Sequence, residues 1–333
     1  MLDDIIKQIN NRYGEYTIFK MEDGDKRMVE VETISSGSLS LDIALGIGGL
    51  PKGRIVEIFG PESGGKTTLA LHAAAEAQKI GGRVCFVDVE HALDIRYAKN
   101  IGVNIKLLYV TQPNSAEEAL EITRIVTESG DFSMVILDSV AALVPQIELE
   151  GEMGDQQIGL QARLMSKALR KLTGVASKSN TIIIFINQIR EKVGIMWGNP
   201  ETTPGGRALK FYASIRLDIR KRKQIKDKNN NIIAIECETK VSKNKLAAPF
   251  KTANLRINFG KGISVENEII QLGVGSGLIK RAGGNYKLPQ KLTTENFRGL
   301  ENLCQWLEKN KKKANILKKA IMKRMEKNES TYL

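Results

Sequence analysis

Short, almost continuous apolar runs recur between about residues 30 and 264, separated by stretches with helical spacing. Arg83-Val84-Cys85-Phe86-Val87-Asp88-Val89 reads as a strand, as do Phe132-Ser133-Met134-Val135-Ile136-Leu137-Asp138 and Thr181-Ile182-Ile183-Ile184-Phe185-Ile186-Asn187. Runs with no polar face must be covered on both sides. The helices between them return the chain so that the next strand lies parallel. The pattern therefore predicts an α/β fold around a mostly parallel, twisted sheet. Ala213-Ser214-Ile215-Arg216-Leu217-Asp218-Ile219-Arg220 alternates polar and apolar residues instead, which predicts an edge extension with one exposed side.

Both ends depart from this rhythm. Leu2, Ile5, Ile6 and Ile9 follow helical spacing, and the charges of Asp3 and Asp4 suit a helix N-terminus. Ile18-Phe19-Lys20-Met21 reads as a short strand before the polar turn Glu22-Asp23-Gly24-Asp25. A helix so short is not stable alone, so this arm is expected to dock on its own core or on a neighbouring subunit. From about residue 265, glycines cluster at Gly273–Gly277 and Gly283-Gly284, and a helix is predicted around Leu300, Leu303, Trp306 and Leu307. Lysines then dominate from Lys309 to Lys327. Three parts are expected: an N-terminal arm (1–27), an α/β core (28–264) and a small α+β domain with a basic helical tail (265–333).

Composition narrows the class. The 333 residues are 42% hydrophobic and 26% charged, ordinary for a soluble globular protein. No apolar run approaches the ~18 residues that span a bilayer. Met1-Leu2-Asp3-Asp4 lacks the basic start of a secretion signal, so a cytoplasmic protein without membrane contact is expected. Cys85, Cys237 and Cys304 are too dispersed for a zinc or disulfide pattern, and His72 and His91 are too scattered for a metal site. A formal net charge of +12 favours a polyanionic partner.

Candidate chemistry is concentrated in Gly60-Pro61-Glu62-Ser63-Gly64-Gly65-Lys66-Thr67-Thr68, which fits the phosphate-binding loop G-x-x-x-x-G-K-[ST]. The β-rich Arg54-Ile55-Val56-Glu57-Ile58-Phe59 precedes it and the helix-forming Leu69-Ala70-Leu71-His72-Ala73-Ala74-Ala75 follows, the context such a loop needs. Its glycines admit the phosphates close to the backbone, and successive N–H groups at a helix N-terminus hold the negative charge. Lys66 is expected to reach the β- and γ-phosphates of a nucleoside triphosphate, and Thr67 to ligate Mg²⁺. Asp138 ends its apolar strand where an acid supports the metal's water shell. Glu90 and Asp88, at another strand end, both qualify by pattern as the carboxylate that polarises the attacking water.

Further runs fall in a specific order. They are Glu32-Thr33-Ile34-Ser35-Ser36-Gly37-Ser38-Leu39-Ser40-Leu41-Asp42-Ile43-Ala44-Leu45-Gly46, Phe86-Val87-Asp88-Val89-Glu90-His91-Ala92-Leu93-Asp94 and Phe185-Ile186-Asn187-Gln188-Ile189-Arg190. Gly198-Asn199-Pro200-Glu201-Thr202-Thr203 and Lys243-Asn244-Lys245-Leu246-Ala247-Ala248-Pro249-Phe250 follow. Together with the phosphate loop, they make the chain resemble the bacterial RecA recombinase family from about residue 2 to 310.

The resemblance implies a RecA-like P-loop NTPase core, with Glu90 rather than Asp88 as the catalytic glutamate. It implies that Asp94 and Tyr97 cradle the adenine of ATP, with Phe259 nearby where the family usually has a tyrosine. Gln188 matches the glutamine that senses the γ-phosphate and couples it to DNA. Lys243 and Lys245 match lysines that reach a neighbour's ATP, a cationic supplement that makes hydrolysis depend on assembly. Polymerisation would use the N-terminal helix and the Lys210-Phe211 region.

Two loops are implied to line DNA. Glu150-Gly151-Glu152-Met153-Gly154-Asp155-Gln156-Gln157 leads into a helix carrying Arg163, Lys167 and Arg170 opposite Leu160, Leu164 and Leu172. By resemblance, Arg163 and Arg170 contact DNA phosphates. The second loop, from Glu191 to about Arg207, contains Gly194, Gly198, Pro200, Pro204, Gly205 and Gly206 and is expected to stay mobile until something orders it. Met196 and Trp197 stand where the family inserts a side chain between base triplets, flanked by Gly198, Asn199, Gly205, Gly206 and Arg207. Base stacking tolerates any sequence, as a homology search requires.

The implied function is ATP-dependent recombination. Filaments on single-stranded DNA pair it with homologous duplex and exchange strands during repair of DNA damage. The SOS repressor and filament-loading mediators are further family partners. Several residues depart from the family pattern. Gly64 replaces a serine, Trp197 a phenylalanine, Pro204 a threonine and Arg207 an asparagine. Arg220-Lys221-Arg222-Lys223 and Glu238 fall where the best-studied members have a glycine and an arginine linked to repressor cleavage, and they argue against that activity. The lysine-rich end replaces an acidic tail that restrains DNA binding in many relatives, so easier loading on duplex is expected. A hexameric helicase-like motor would usually carry a substantial N-terminal domain, and a small-molecule kinase would need neither the basic tail nor two glycine-rich loops.

Overall fold

The computed structural model describes residues 1–14, 17–18, 31–152, 159–191, 198 and 200–329, with side chains of the last helix as far as Arg324. The strand expected at residues 19–21, the turn at 22–25 and the last four residues lie outside the described residues. Helix α1 (Leu2–Tyr13) forms as its spacing predicts, and it buries none of its residues. Helix α2 (Leu39–Leu45) starts where the Ser38 hydroxyl accepts from the Leu41 N–H, and it ends at Gly46 in the left-handed region.

Strand and helix then alternate through β1 (Ile55–Gly60), α3 (Lys66–Lys79), β2 (Val84–Asp88), α4 (Ile95–Ile101) and β3 (Leu108–Thr111). The series continues with α5 (Ala116–Glu128), β4 (Met134–Asp138), α6 (Leu160–Ser179) and β5 (Ile182–Gln188). Strands β6 (Ile215–Lys226), β7 (Ile232–Asn244), β8 (Thr252–Asn258) and β9 (Gly262–Ile263) complete a nine-stranded sheet among the described residues. Its order is β9-β8-β7-β6-β1-β5-β4-β2-β3.

The segment expected as an edge lies inside this sheet. Strand β6 runs parallel to β1 and antiparallel to β7, so an antiparallel wing begins there. Its alternation has a different cause: Ile215, Leu217 and Ile219 are buried on one face, while Arg216 and Arg220 form ion pairs on the other.

Two apolar layers sandwich the parallel strands. Val56, Ile58, Ile184 and Ile186 pack with the alanines of α3 on one side. Ile55, Val135, Leu137 and Phe185 pack with α5 and α6 on the other. A third cluster joins Leu39 of α2 to α7 (Val265–Gly275), the small sheet β10 (Lys280–Ala282), β11 (Asn285–Lys287) and β12 (Asn296–Arg298), and helices α8 (Leu300–Lys309) and α9 (Lys311–Glu329). Cys85, Cys237 and Cys304 are free and buried. No helix among the described residues is long and apolar enough to cross a membrane.

Candidate functional site

The parallel strands release their chains at one edge, and register decides what meets there. Gly60 of β1 lies beside Gln188 of β5, and Asp138 of β4 beside Asp88 of β2. Residues far apart in sequence therefore end on a common rim, the usual ligand crevice of such sheets.

The loop from Gly60 is shaped for an anion. A Cβ on Gly60 would stand 2.1 Å from the Ile219 carbonyl oxygen, so only glycine lets the loop leave β1 so close to β6. Ser63 at φ 55° and Gly65 at φ 94° adopt left-handed conformations, the kind of backbone that forms anion-binding concavities from successive N–H groups. Helix α3 follows directly, its first N–H groups unspent within the helix. The Lys66 ammonium donates to the carbonyls of Gly60 at 3.2 Å and Pro61 at 2.7 Å. Burial lowers its pKa against the charges of Asp138, Glu90 and Glu62. Pro61 and Glu62 are exposed on the outer lip.

Thr67 donates to Asp138 Oδ2 at 2.7 Å, joining the two groups expected around the metal. Burial pushes Asp138 up to about 6; the Thr67 hydrogen bond opposes this, and Glu90 and Asp88 add to it. Cation charge beside such a carboxylate would relieve its burial, so the pair suits a hard divalent ion. The glycine-walled cradle likewise fits a phosphate chain. Thr68 Oγ1 lies 2.9 Å from the Tyr97 hydroxyl, and Asp94 caps α4 by accepting from Arg96 and Tyr97. Phe259 is 54% exposed just after β8.

Glu90 and Asp88 occupy different surroundings. Asp88 is buried, and its carboxylate accepts from the N–H groups of Ala92 and Leu93 and from Gln112. Glu90 is exposed, with Oε1 accepting from Gln188 Nε2 at 3.1 Å and from the Ser139 hydroxyl. Sequence reading missed Ser139, although a serine directly after the strand-ending Asp138 was a usable signal.

Lys245 lies at the opposite end of the strands, and Lys243, beside Arg216 and so level with Glu57, lies part of the way along them. Lys245 N donates to the Ser214 carbonyl and Ser214 N to that of Ile55, at the start of β1. Five residues of strand, about 16 Å, separate that level from Gly60. Lys243 donates to the carbonyls of Lys210 and Phe211, and Lys245 to that of Phe211. Burial, with the nearby charges of Lys245 and Arg216, lowers Lys243 to about 8. Phe211 is 69% exposed beside them. On α1, Ile5 is exposed, and Ile6 and Ile9 are half-buried.

On α6, Arg163, Lys167 and Arg170 form an exposed stripe. The buried face is centred on Met165, Leu169, Leu172 and Ala176; Leu160 and Leu164 are half-buried at its margin. Residues 153–157 of the first loop, and Met196, Trp197 and Asn199 of the second, lie outside the described residues. Gly198 is exposed at φ 93°.

From Glu201 the second loop is fastened, contrary to the mobility expected of its glycines. Glu191 pairs with Glu201 and Arg190 with Thr202. Gly205 N donates to Gln161, and a Cβ there would meet Val140 at 2.9 Å. A Cβ on Gly206 would meet that of Ala162 at 2.8 Å. These glycines permit close approach to α6 rather than motion, and Arg207 beyond them is exposed.

A family model described as RecA N-terminal domain matches residues 1–264. The Protein RecA of Caldanaerobacter subterraneus subsp. tengcongensis is 56% identical over 96% of this chain and 92% of its own length. That of Bacillus subtilis is 53% identical over 93% and 87%. That of Chloroherpeton thalassium is 58% identical over 84% and 80%. The chain therefore belongs to the RecA family of DNA-binding, filament-forming homologous recombinases.

Proposed function

We propose that the rim binds ATP with Mg²⁺ and hydrolyses it to ADP and phosphate when single-stranded DNA occupies the filament, in the cytoplasm. The observation that carries this reading is the hydrogen bond from Gln188 to Glu90, which ties a water-orienting carboxylate to the residue at the head of the second loop. Residues 60–68 hold the phosphates, with Lys66 on the β- and γ-groups. Asp94 and Tyr97 border the adenine, with Phe259 close by. Thr67 and Asp138 hold the metal, which when bound neutralises charge developing on the phosphates. Glu90 orients the attacking water and takes up its proton.

Lys243 and Lys245 act on the nucleotide of the neighbouring subunit, a reading supported by Lys245, which stands at the far end of the strands from its own phosphate loop. Ile5, Ile6, Ile9, Lys210 and Phe211 belong to the contacts between subunits. Arg163, Arg170 and Arg207 grip the DNA backbone; Gly198, Gly205 and Gly206 shape the loop, and Met196, Trp197 and Asn199 reach the bases. Backbone contacts leave sequence to be read by base pairing between strands. Residues 265–333 form a further DNA-binding and regulatory domain.

ATPase measurements with and without single-stranded DNA, imaged in parallel by electron microscopy, test this. Stimulation together with helical filaments is expected. Closed rings would favour a translocating motor, and no response to DNA would defeat the reading. Lys66→Ala is expected to lose nucleotide binding, whereas Glu90→Gln should bind ATP and form filaments yet turn over at least about a hundredfold more slowly.

A further inference from the structure

Strand β1 carries a carboxylate where its neighbours along the strand are apolar. Glu57 is fully buried on the face that packs against α5 and α6. Register makes it one member of a lateral row: Glu57 of β1 lies beside Arg216 of β6, and Arg216 beside Lys243 of β7. Arg216 donates to Glu57 Oε2 and rests 4.3 Å from the centre of the Phe59 ring, one residue before the phosphate loop. On the other side Asn187 Nδ2 donates to Glu57 Oε1 at 3.1 Å. The same amide donates to the Pro204 carbonyl at 3.2 Å, and Asn187 Oδ1 accepts from the Gln188 N–H at 3.0 Å.

A buried ion pair is a poor stabilising device, because apolar residues of similar volume usually serve as well. Its persistence here needs another reason, and its partners supply one. Arg216 adjoins the lysine that faces the next subunit, while Asn187 fastens both the residue bonded to Glu90 and the anchored end of the second loop. We propose that Glu57 is a positioning residue that couples the neighbour-facing lysine pair to the head of the DNA loop, through Arg216 on one side and Asn187 on the other. The inference rests on the ATP-dependent DNA-binding reading above. A shift of Arg216, when Lys243 engages a neighbour's phosphates, repositions the Glu57 carboxylate. The Asn187 amide follows it because Oε1 is its acceptor. Pro204 and Gln188 then move together.

The test compares affinity for single-stranded DNA with a slowly hydrolysed ATP analogue and with ADP. The ratio of the two affinities measures coupling. Glu57→Gln keeps the shape and removes the charge. Asn187→Ala leaves the Glu57 and Arg216 pair in place and removes only the link to Gln188 and Pro204. Both variants are expected to cut the ratio by at least about tenfold, with the double variant losing no more than either alone. A general loss of stability would weaken both affinities together and leave the ratio intact. Should Glu57→Gln fail to fold, as its thermal melt would reveal, Asn187→Ala decides alone. Wild-type coupling that survived in the folded variants would overturn this inference. A wild-type chain whose DNA affinity ignored nucleotide would overturn the preceding reading, and this one with it.

Discussion

Two donors, from Gln188 and Ser139, converge on Oε1 of Glu90, and neither takes Oε2. A hydrogen bond to a charged group is worth ~1.5–3 kcal/mol. Ser139→Ala is therefore expected to slow single-turnover hydrolysis on DNA by about tenfold or more, with ATP affinity little changed. Ser139→Thr, which keeps the hydroxyl, should restore most of the rate; an undiminished rate in Ser139→Ala would leave Gln188 as the orienting group. Single residues also explain what the sequence hid. Asp88 and Glu90 look equivalent as strand-end acids, yet Asp88 spends its oxygens on Ala92, Leu93 and Gln112. Gly64, where the family has a serine, has a packed backbone: a Cβ there would stand 3.2 Å from both the Ile219 and Pro61 carbonyl oxygens. A serine would need those groups to give by a few tenths of an ångström.

Helix α3 is held to the last strand of the wing by His72, whose Nε2 accepts from the Ile263 N–H at 2.8 Å. Burial lowers His72 from 6.5 to about 4, so the unfolded chain binds the proton more readily. Its contribution is present above pH 6.5 and is lost as pH falls toward 4, amounting to roughly 3 kcal/mol for a shift of this size. Melting curves should show His72→Gln less sensitive to pH over that window than the native chain; parallel curves would exclude His72 as the acid-labile link. The central strands were legible because β1, β2, β4 and β5 are buried on both faces, and only apolar runs survive there. Strand β6 was misread because its polar positions are paired rather than solvated. Glu57 was visible inside a β-rich run, but nothing local announced Arg216 and Asn187, which reach it from 159 and 130 residues away.

At the scale of the molecule, the phosphate loop and Lys245 lie at opposite ends of the strands, with Lys243 between. A repeating head-to-tail contact would bring one chain's lysines to the next chain's nucleotide, the heterologous geometry of open helical filaments. Mixing tests it directly. Lys66→Ala and Lys245→Ala chains are each expected to be nearly inactive, yet equal mixtures should recover roughly a quarter of wild-type turnover, since two even chances must coincide. Recovery near zero would place Lys245 on its own chain's nucleotide. The same arrangement would give a filament two chemically different extremities. One terminal subunit would offer lysines to solvent, while the other would carry ATP that no lysine faces. That last nucleotide would be a silent clock, started only by the arrival of another subunit, so growth and loss would belong to different ends.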